Sequence, residues 1–354
     1  MILSQKESEN TTEPQEESKT DIIITEIIKN RGILNSHYDC FINSAFQALL
    51  CVNEFVDYYC ENNTFIDSDE STTINHYLTQ DSHSEKCYSS KLKEFITEYF
   101  SDSECPIWNK KFRTLFDEKY HPSQQHDASD FLMCLFEILQ NEHNPTSTTF
   151  ISSGHENGQD AWQAYERDHI SIVDQLFVGM YETVFTCCEC EKEAKVYEEF
   201  NSVPIECHLK DQNKGFKTFI ESSEKQYSQM NCEVCYGQQN CTIQKKIIKY
   251  PKYLILVFQR FDSSTNSKIT DPMDFHTNFT LQSPKNNPIS YSLFSSILHS
   301  GSLTSGHYTS ICKRGSNWFE FNDCSFKLIS NSEVKTPNAY ILFYKQDPSE
   351  LQIA

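Results

Sequence analysis

Two Cys-x-x-Cys pairs constrain the fold of this chain more than any other feature. The first pair is Cys187 and Cys190 in "CCEC", and the second is Cys232 and Cys235 in "CEVC". Each short pair can form one knuckle, and tetrahedral zinc takes four ligands from two knuckles. The strand-rich sequence around both pairs favours a shared site over four unligated thiols. We therefore predict one structural zinc ion that joins two distant segments and leaves no position open for a substrate.

The other cysteines indicate a reducing environment. The chain has 354 residues and 15 cysteines, an odd number with uneven spacing. It begins "MILSQKESENTTEPQEESKT", which lacks the basic start and the long apolar stretch of a secretory signal. We therefore expect reduced thiols in the cytoplasm or the nucleus rather than a disulfide framework.

Charge and hydropathy exclude two classes of partner. The formal net charge of −20 leaves no basic surface to neutralise phosphates, which argues against nucleic-acid binding. The strongest apolar run, "YLILVF", is too short to span a membrane. No feature of the sequence requires more than a monomer.

The spacing of apolar residues changes along the chain. Residues 1–28 are polar and acidic, and we expect a disordered arm there. Helical spacing follows, with clear helices predicted over 41–55 and 128–139, and with polar surface insertions at 61–85 and 141–160. From about residue 173 strands dominate, in "QLFVGMYETVFTC", "YLILVFQRF", "HYTSICKR", "WFEFND" and "AYILFYK". Helices followed by strands predict an α+β fold.

The stretch "GHYTSICKRGSNWFEFNDCSF" is typical of a β-hairpin with a two-residue loop at 315–316. In that register Asn322 shares a face with His307 as its diagonal neighbour, and Asp323 points to the other face. A three-residue loop or a bulge would instead present Asp323. Either side chain could orient the imidazole as a general base.

A candidate nucleophile lies in "GILNSHYDCFINSAFQALL". Cys40 falls in the first turn of a predicted amphipathic helix, where the positive end of the helix dipole favours a thiolate. Asp39 is suited to the N-cap, where its side chain would accept a backbone N–H. Its negative charge opposes the thiolate, so we expect it to turn toward the backbone or solvent. The alternative is that Cys40 is merely a small buried apolar residue.

Together these segments resemble the ubiquitin-specific protease family, in the order expected for it, from about Arg31 to Lys345. The segments are "GILNSHYDCFINSAFQALL", "QQHDASDFLMCLFEIL", the two knuckles, "YLILVFQRFD", "HSGSLTSGHYTSI", "WFEFND" and "AYILFYK". The resemblance implies a papain-like cysteine protease over 29–347, with a helical thumb (29–140), zinc-bearing fingers (173–250), a β palm (251–347) and a tail at 348–354. It also implies cleavage, through a thioester, of the bond after the C-terminal glycine of ubiquitin.

By position in the family motifs, the resemblance implies roles for five residues. Cys40 matches the nucleophile, His307 the general base and Asn322 the third member of the triad. Asp323 matches a following acidic residue that assists. Asn35 matches the side chain that donates to the oxyanion, a contact typically worth about 3 kcal/mol of barrier.

The resemblance also implies a channel for the C-terminal tail of ubiquitin. Gln125, Asp127 and Asp130 match residues that grip this tail, whose arginines suit charge-assisted pairs with carboxylates. Asp127 and Asp130 are three residues apart and share one helix face. His299 and Tyr308 match residues that line a channel narrow enough to select the two terminal glycines.

One loop departs from the family pattern. Members usually have Leu-Gly-Asn-Thr before the nucleophile, whereas this chain has Ser36, His37, Tyr38 and Asp39. The bulkier loop would misalign Cys40 in a catalytically impaired protein that only binds ubiquitin. Two further alternatives remain open, a protease for another modifier that ends in two glycines, and His37 as the base.

Overall fold

The computed structural model describes residues 29–348 except 61–86, 104, 108–109, 145–149, 151, 208–213, 222–225, 263–266, 283–286 and 303–304. The predicted arm at 1–28, the polar stretch at 61–85 and the tail beyond residue 348 lie outside the described residues. Helices precede strands, as the sequence predicts.

The helices are α1 (Cys40–Leu49), α2 (Asn53–Cys60), α3 (Tyr88–Tyr99), α4 (Lys110–Arg113), α5 (Ala128–His143), α6 (Gly158–Asp168), α7 (Ile172–Phe177) and α8 (Lys214–Glu221). The strands are β1 (Gly179–Cys187), β2 (Glu193–Phe200), β3 (Val203–Ile205), β4 (Gln226–Cys232), β5 (Gly237–Lys249), β6 (Tyr253–Phe258), β7 (Phe261–Asp262), β8 (Ser267–Lys268), β9 (Asn278–Gln282), β10 (Pro288–Gly301), β11 (Gly306–Arg314), β12 (Asn317–Asn322), β13 (Ser325–Ile329) and β14 (Ala339–Gln346).

Helix α1 is the central helix of the N-terminal half. Every residue of α1 is buried, and the helix packs against both α5 and strand β11. Phe41 and Phe46 make edge-on aromatic contacts with Phe131 of α5. A helix enclosed on all sides has little freedom to shift. The position of Cys40 at its first residue is therefore set by the core.

The larger sheet has the strand order β13-β12-β11-β10-β14-β6-β3, with β9 paired to β10. Successive residues of β14 alternate between two cores. Ile341 and Phe343 pack in the core with the helices, whereas Leu342 and Tyr344 pack in a second core on the opposite face. Because both faces of the sheet are covered at β14, the sequence of this strand is a continuous apolar run.

A second sheet of four strands carries the cysteine pairs, in the order β2-β1-β5-β4. Cys187 is the last residue of β1, and Cys232 is the last residue of β4. The second cysteine of each pair, Cys190 or Cys235, lies in the turn that follows the strand. The turns include left-handed backbone at Glu191 and Tyr236. The two knuckles therefore meet at the same end of this sheet.

The predicted hairpin register is confirmed. Arg314 of β11 pairs with Asn317 of β12, and Ser310 pairs with Phe321. Gly315 in the loop has a φ of 59°, a backbone conformation that glycine adopts without strain.

Two predicted elements are wrong in extent. The helix predicted over 41–55 is two helices, because hydrogen bonds from Cys51 to Ala48 and from Val52 to Leu49 tighten the last turn and end α1. The start of "QLFVGMYETVFTC" lies in helix α7, which a capping box between Ser171 and Asp174 initiates. Among the described residues, no helix is both long enough and apolar enough to cross a membrane.

Candidate active site

Three side chains from different elements meet at the start of α1. Cys40 is only 5% exposed. His307 is near the start of β11, and Asn322 is the last residue of β12. Nε2 of His307 lies 2.8 Å from Oδ1 of Asn322. Since a carbonyl oxygen only accepts, Nε2 carries a proton, and Nδ1 is left for the Cys40 sulfur. The pKa of His307 is raised to about 9, chiefly by its hydrogen bond with Cys40. The hydrogen bond with Asn322 raises this pKa further. An imidazolium therefore persists at neutral pH.

Asp323 also approaches the imidazole, contrary to the alternation of strand faces. It lies beyond the end of β12 with a φ of 48°, so its side chain is not directed by the pleat. Its Oδ2 lies 3.9 Å from Nε2 of His307. Its two carboxylate oxygens accept hydrogen bonds from the amides of Asn35 (2.9 Å) and Asn43 (2.8 Å). Asp323 thus connects the β12–β13 turn to the loop before Cys40 and to α1.

Asn35 shapes the loop that precedes Cys40. Its Oδ1 accepts the backbone N–H groups of His37 (3.2 Å) and Asp39 (3.1 Å). Its Nδ2 donates one hydrogen to Asp323, and an amide nitrogen carries a second. Asn43 was not identified from the sequence, although an asparagine in the apolar helix "CFINSAFQAL" was the available signal.

The predicted role of Asp39 as a side-chain cap is wrong. Its side chain makes no cap hydrogen bond and is 1% exposed. Instead Oδ1 lies 2.8 Å from Nε of Arg113, and Oδ2 accepts the Ser36 hydroxyl at 2.8 Å. Arg113 also reaches Asp117 (2.7 Å) and the carbonyl oxygen of Tyr120 (2.6 Å). The guanidinium offsets the negative charge beside the thiol, and the unusual loop is held by a buried ion pair.

The two predicted tail-binding aspartates already have partners. Asp127 is the N-cap of α5, where Oδ1 accepts the N–H groups of Ser129 (2.7 Å) and Asp130 (3.1 Å). The hydroxyls of Tyr308 (3.2 Å) and Tyr340 (2.8 Å) donate to Oδ2 of Asp127. The carboxylate of Asp130 accepts the Tyr120 hydroxyl at 2.7 Å. These contacts orient both carboxylates. The four donors fill the about four acceptor positions of Asp127, whereas Asp130 has room to accept further hydrogen bonds.

Gln125 bridges from the segment before α5 to the first residue of β11. Its Oε1 accepts the N–H of Gly306 at 2.7 Å, and its Nε2 donates to the carbonyl oxygen at 2.8 Å. The side-chain amide thus pairs with this backbone as a neighbouring strand would. His299 lies beneath Gly306 and packs against Tyr308, with ring centroids 4.5 Å apart and the rings tilted by 38°. Burial and the charges of Lys268 and Arg260 lower the pKa of His299 to about 4, so its ring is neutral.

Gly306 was not identified from the sequence as a site residue, and its packing predicts an effect. A Cβ at this position would lie 2.0 Å from Nε2 of His299 and 2.8 Å from the carbonyl oxygen of Ser300. We expect Gly306→Ala to displace His299 or the start of β11 and with it the neighbouring His307. A misplacement of this size typically costs about 100-fold in rate. Steady-state kcat/KM measures the loss, and a variant within twofold of the parent would contradict this packing argument.

The four predicted metal-ligating cysteines are brought together. The Sγ atoms of Cys187, Cys190, Cys232 and Cys235 all lie within 4.8 Å of one another. Sulfur atoms bound to a tetrahedral zinc ion are about 3.8 Å apart, so the cluster fits such an ion with small adjustments. Among the described residues, this is the one cluster of His, Cys, Asp or Glu side chains that could hold a metal.

Comparison with known proteins identifies the family. A model of the ubiquitin carboxyl-terminal hydrolase family matches residues 31–344. The chain belongs to the ubiquitin carboxyl-terminal hydrolase family. Ubiquitin carboxyl-terminal hydrolase 2 from Bos taurus is 30% identical over 353 residues, covering 89% of this chain and 54% of that protein. Ubiquitin carboxyl-terminal hydrolase 21 from Rattus norvegicus is 26% identical, covering 90% and 62%. The chain thus spans about half the length of the first of these relatives.

Solved structures confirm the fold expected for this hydrolase family. The SAGA Ubp8/Sgf11/Sus1/Sgf73 DUB module bound to ubiquitin aldehyde contains a chain with a TM-score of 0.66 and 21% sequence identity. The match covers 92% of this chain and 71% of that one. A second structure of the Ubp8-Sgf11-Sgf73-Sus1 module matches with a TM-score of 0.65. The predicted α+β fold with a cysteine-bearing second sheet is therefore confirmed.

Proposed function

We propose that this chain is a cysteine-type deubiquitinase that hydrolyses the bond after the C-terminal glycine of ubiquitin. The observation that carries the proposal is the contact of the Cys40 thiol with His307, which Asn322 orients, within a domain of this family. The hydrolases that this chain resembles bear the same activity in their names.

In the proposed reaction, the Cys40 sulfur attacks the carbonyl carbon of the last glycine. The protonated His307 then gives its proton to the departing lysine amine, which leaves a thioester on Cys40. Water attacks this thioester with His307 as the base. Asn35 supplies its second amide hydrogen to the oxyanion, together with a backbone N–H at the start of α1. Asp323 holds Asn35 in place for this role.

In the proposed complex, the ubiquitin tail lies between the thumb (29–140) and the palm (251–347). The path that we propose for this tail runs past five side chains, those of Gln125, Asp127, Asp130, His299 and Tyr308. Neutral His299 and the absence of a side chain at Gly306 favour a tail that ends in glycines. The free carboxylate lone pairs of Asp130 suit an arginine of that tail, and Asp127 adds its negative charge nearby.

The proposal is tested with ubiquitin that carries a thiol-reactive group at its C-terminus. An adduct of one ubiquitin per chain, seen by intact mass, supports an active deubiquitinase. Binding of ubiquitin without an adduct would indicate an impaired, ubiquitin-binding protein. An adduct only with a probe made from another modifier that ends in two glycines would indicate a protease for that modifier. We further propose that the protein acts as a monomer on ubiquitinated proteins in the cytoplasm or the nucleus.

The raised pKa of His307 predicts the alkaline limit of activity. The pKa lies above the ordinary value of 6.5, so the folded state is stabilised by the bound proton. This stabilisation is complete below about pH 6.5 and is lost as the pH rises through about 9. We expect kcat/KM to fall above about pH 9 as the imidazolium loses its proton.

Asn322→Ala is the matched test, because the Asn322 hydrogen bond raises the pKa of His307. We expect the alkaline limb to move to lower pH and kcat/KM at neutral pH to fall about tenfold or more. The pH profiles of both proteins measure this shift. An unchanged alkaline limb in the variant would show that Asn322 does not orient His307.

We also propose that the four-cysteine cluster holds one structural zinc ion, with Cys187, Cys190, Cys232 and Cys235 as its ligands. The ion would join the ends of the β1–β2 and β4–β5 hairpins. We expect about one zinc per chain and, for Cys190→Ser, loss of the metal with a Tm lower by on the order of 10 °C. Elemental analysis and calorimetry measure both. Cys188→Ser is the control because Cys188 is exposed and outside the cluster, and equal zinc loss in both variants would refute the ligand set.

A further inference from the structure

Arg314 at the end of β11 is buried without a carboxylate partner. Its side chain is 4% exposed, and no Asp or Glu of the described residues forms an ion pair with it. Its guanidinium donates to Sγ of Cys51, to the carbonyl oxygen of Gln47 (3.0 Å) and to Oε1 of Gln47 (3.3 Å). A guanidinium does not lose its proton in a protein. A buried guanidinium is stabilised either by carbonyl oxygens, as Arg260 is, or by a nearby anion, and groups that can ionise lie beside Arg314.

Two thiols supply the groups that can carry that negative charge. The Sγ atoms of Cys51 and Cys312 each lie 3.3 Å from the carbonyl oxygen of Gln47, so both thiols converge on one acceptor beside Arg314, and a hydrogen bond between them affects the pKa of each. The Ser295 hydroxyl lies 3.3 Å from Sγ of Cys312. Burial opposes the ionisation of Cys312, but the Cys51 hydrogen bond and the Arg314 charge outweigh it and lower its pKa to about 7. Burial raises the pKa of Cys51 well above its ordinary value, so Cys312 carries the negative charge of the pair and Cys51 carries the proton.

One member of this pair is accessible. Cys312 is buried, whereas Cys51, in the turn after α1, is partly exposed. Cys51 and Arg314 line a cavity of about 180 Å³ together with Lys313 and Lys345. Its volume exceeds the roughly 30 Å³ of a water molecule several-fold, so a small oxidant can enter. The two lysines add to the positive field that favours a thiolate, and Asp347 in the same lining offsets part of it.

We propose that Cys51 and Cys312 form a redox-active dithiol, separate from Cys40, that hydroperoxides oxidise to a disulfide. Cys51 passes its proton to the Cys312 thiolate and its sulfur attacks one peroxide oxygen, the O–O bond breaks, and Cys51 becomes a sulfenic acid with release of hydroxide or alkoxide. The Cys312 thiol then attacks the Cys51 sulfur, an S–S bond forms and water leaves. The disulfide would join the end of α1 to β11, the two elements that carry Cys40 and His307.

The test uses the zinc-loaded Cys40→Ala protein, so that the candidate nucleophile does not react and activity is not the readout. After limited hydrogen peroxide, free thiols are alkylated and the protein is digested without reductant. We expect a peptide that links Cys51 to Cys312, a chain lighter by about 2 Da, and reversal by dithiothreitol. Oxidation of exposed thiols such as Cys188 or Cys105 without this linked peptide would overturn the proposal.

Two variants test the role of the buried charge. In Arg314→Met the linked peptide should form at least about tenfold more slowly, whereas Arg314→Lys, which keeps the charge, should retain most of the rate. An Arg314→Met protein that oxidises at the parent rate would refute the role of the guanidinium. Cys207→Ser is the matched control, because burial raises the pKa of Cys207 to about 11. We expect the disulfide between Cys51 and Cys312 to form in this variant as in the parent. If Arg314→Met does not fold, the peptide map of the Cys40→Ala protein still decides the proposal.

Discussion

Cys40→Ala should abolish turnover of a ubiquitin conjugate, a loss of at least about 10⁴-fold in kcat/KM, while ubiquitin still binds. The loss is large because the thiol supplies the covalent step, and no neighbouring group forms a thioester in its place. Binding persists because alanine fills nearly the same buried volume at the start of α1 and leaves the surrounding contacts unchanged. Turnover of a fluorogenic ubiquitin substrate and calorimetric titration with ubiquitin measure the two quantities.

Cys324→Ala is the matched control for this variant. Cys324 directly follows Asp323 in the chain, but its side chain is exposed. We expect its removal to leave kcat/KM within about twofold of the parent, as is usual for surface positions. Retained turnover in Cys40→Ala, with loss of turnover in a different cysteine variant, would show that the nucleophile has been assigned to the wrong thiol.

Arg113→Ala should destabilise the fold by about 3–5 kcal/mol, because it leaves the buried carboxylate of Asp39 without its partner. We also expect a lower kcat, since Arg113 and Asp39 hold the loop that leads into Cys40. Chemical denaturation measures the free energy of unfolding, and steady-state kinetics at a temperature where the variant remains folded measures kcat.

Arg113 also provides its own control, because it pairs with a second carboxylate. Asp117 is 41% exposed, and its ion pair with Arg113 at 2.7 Å faces solvent. Asp117→Asn should therefore cost less than about 1 kcal/mol. Equal losses of stability in Arg113→Ala and Asp117→Asn would mean that the buried contact with Asp39 is not what holds the loop.

The hairpin of β11 and β12 shows how far local sequence determines this site. Two-residue loops fix the register of a hairpin, so the placement of Asn322 beside His307 follows from counting. Asp323 lies one residue beyond the paired strand in left-handed backbone, where the alternation of faces no longer applies. Its approach to the imidazole could not be derived from the pattern that correctly placed Asn322.

Asp39 shows a different limit of sequence reasoning. An acidic residue before a helix favours an N-cap by propensity, but Arg113, 74 residues later in the chain, competes for the carboxylate. A buried guanidinium offers charge and hydrogen bonds that a single backbone N–H cannot match. The same reason explains why the loop before Cys40 could look incompatible with an active site in the sequence and yet be well supported in the fold.

The amino-acid sequence was enough to predict the α+β class, the two cysteine knuckles, the helix whose first turn contains Cys40 and the register that joins His307 to Asn322. These features depend on periodicity, turn length and the spacing of short motifs, which are local properties of the chain. The pairing of distant side chains is visible only in the folded protein, as for Asp39 with Arg113, Gln125 with Gly306, and Cys51 with Cys312 and Arg314. Such contacts depend on how helices pack on the sheet, because packing brings together charges and thiols that no local pattern relates.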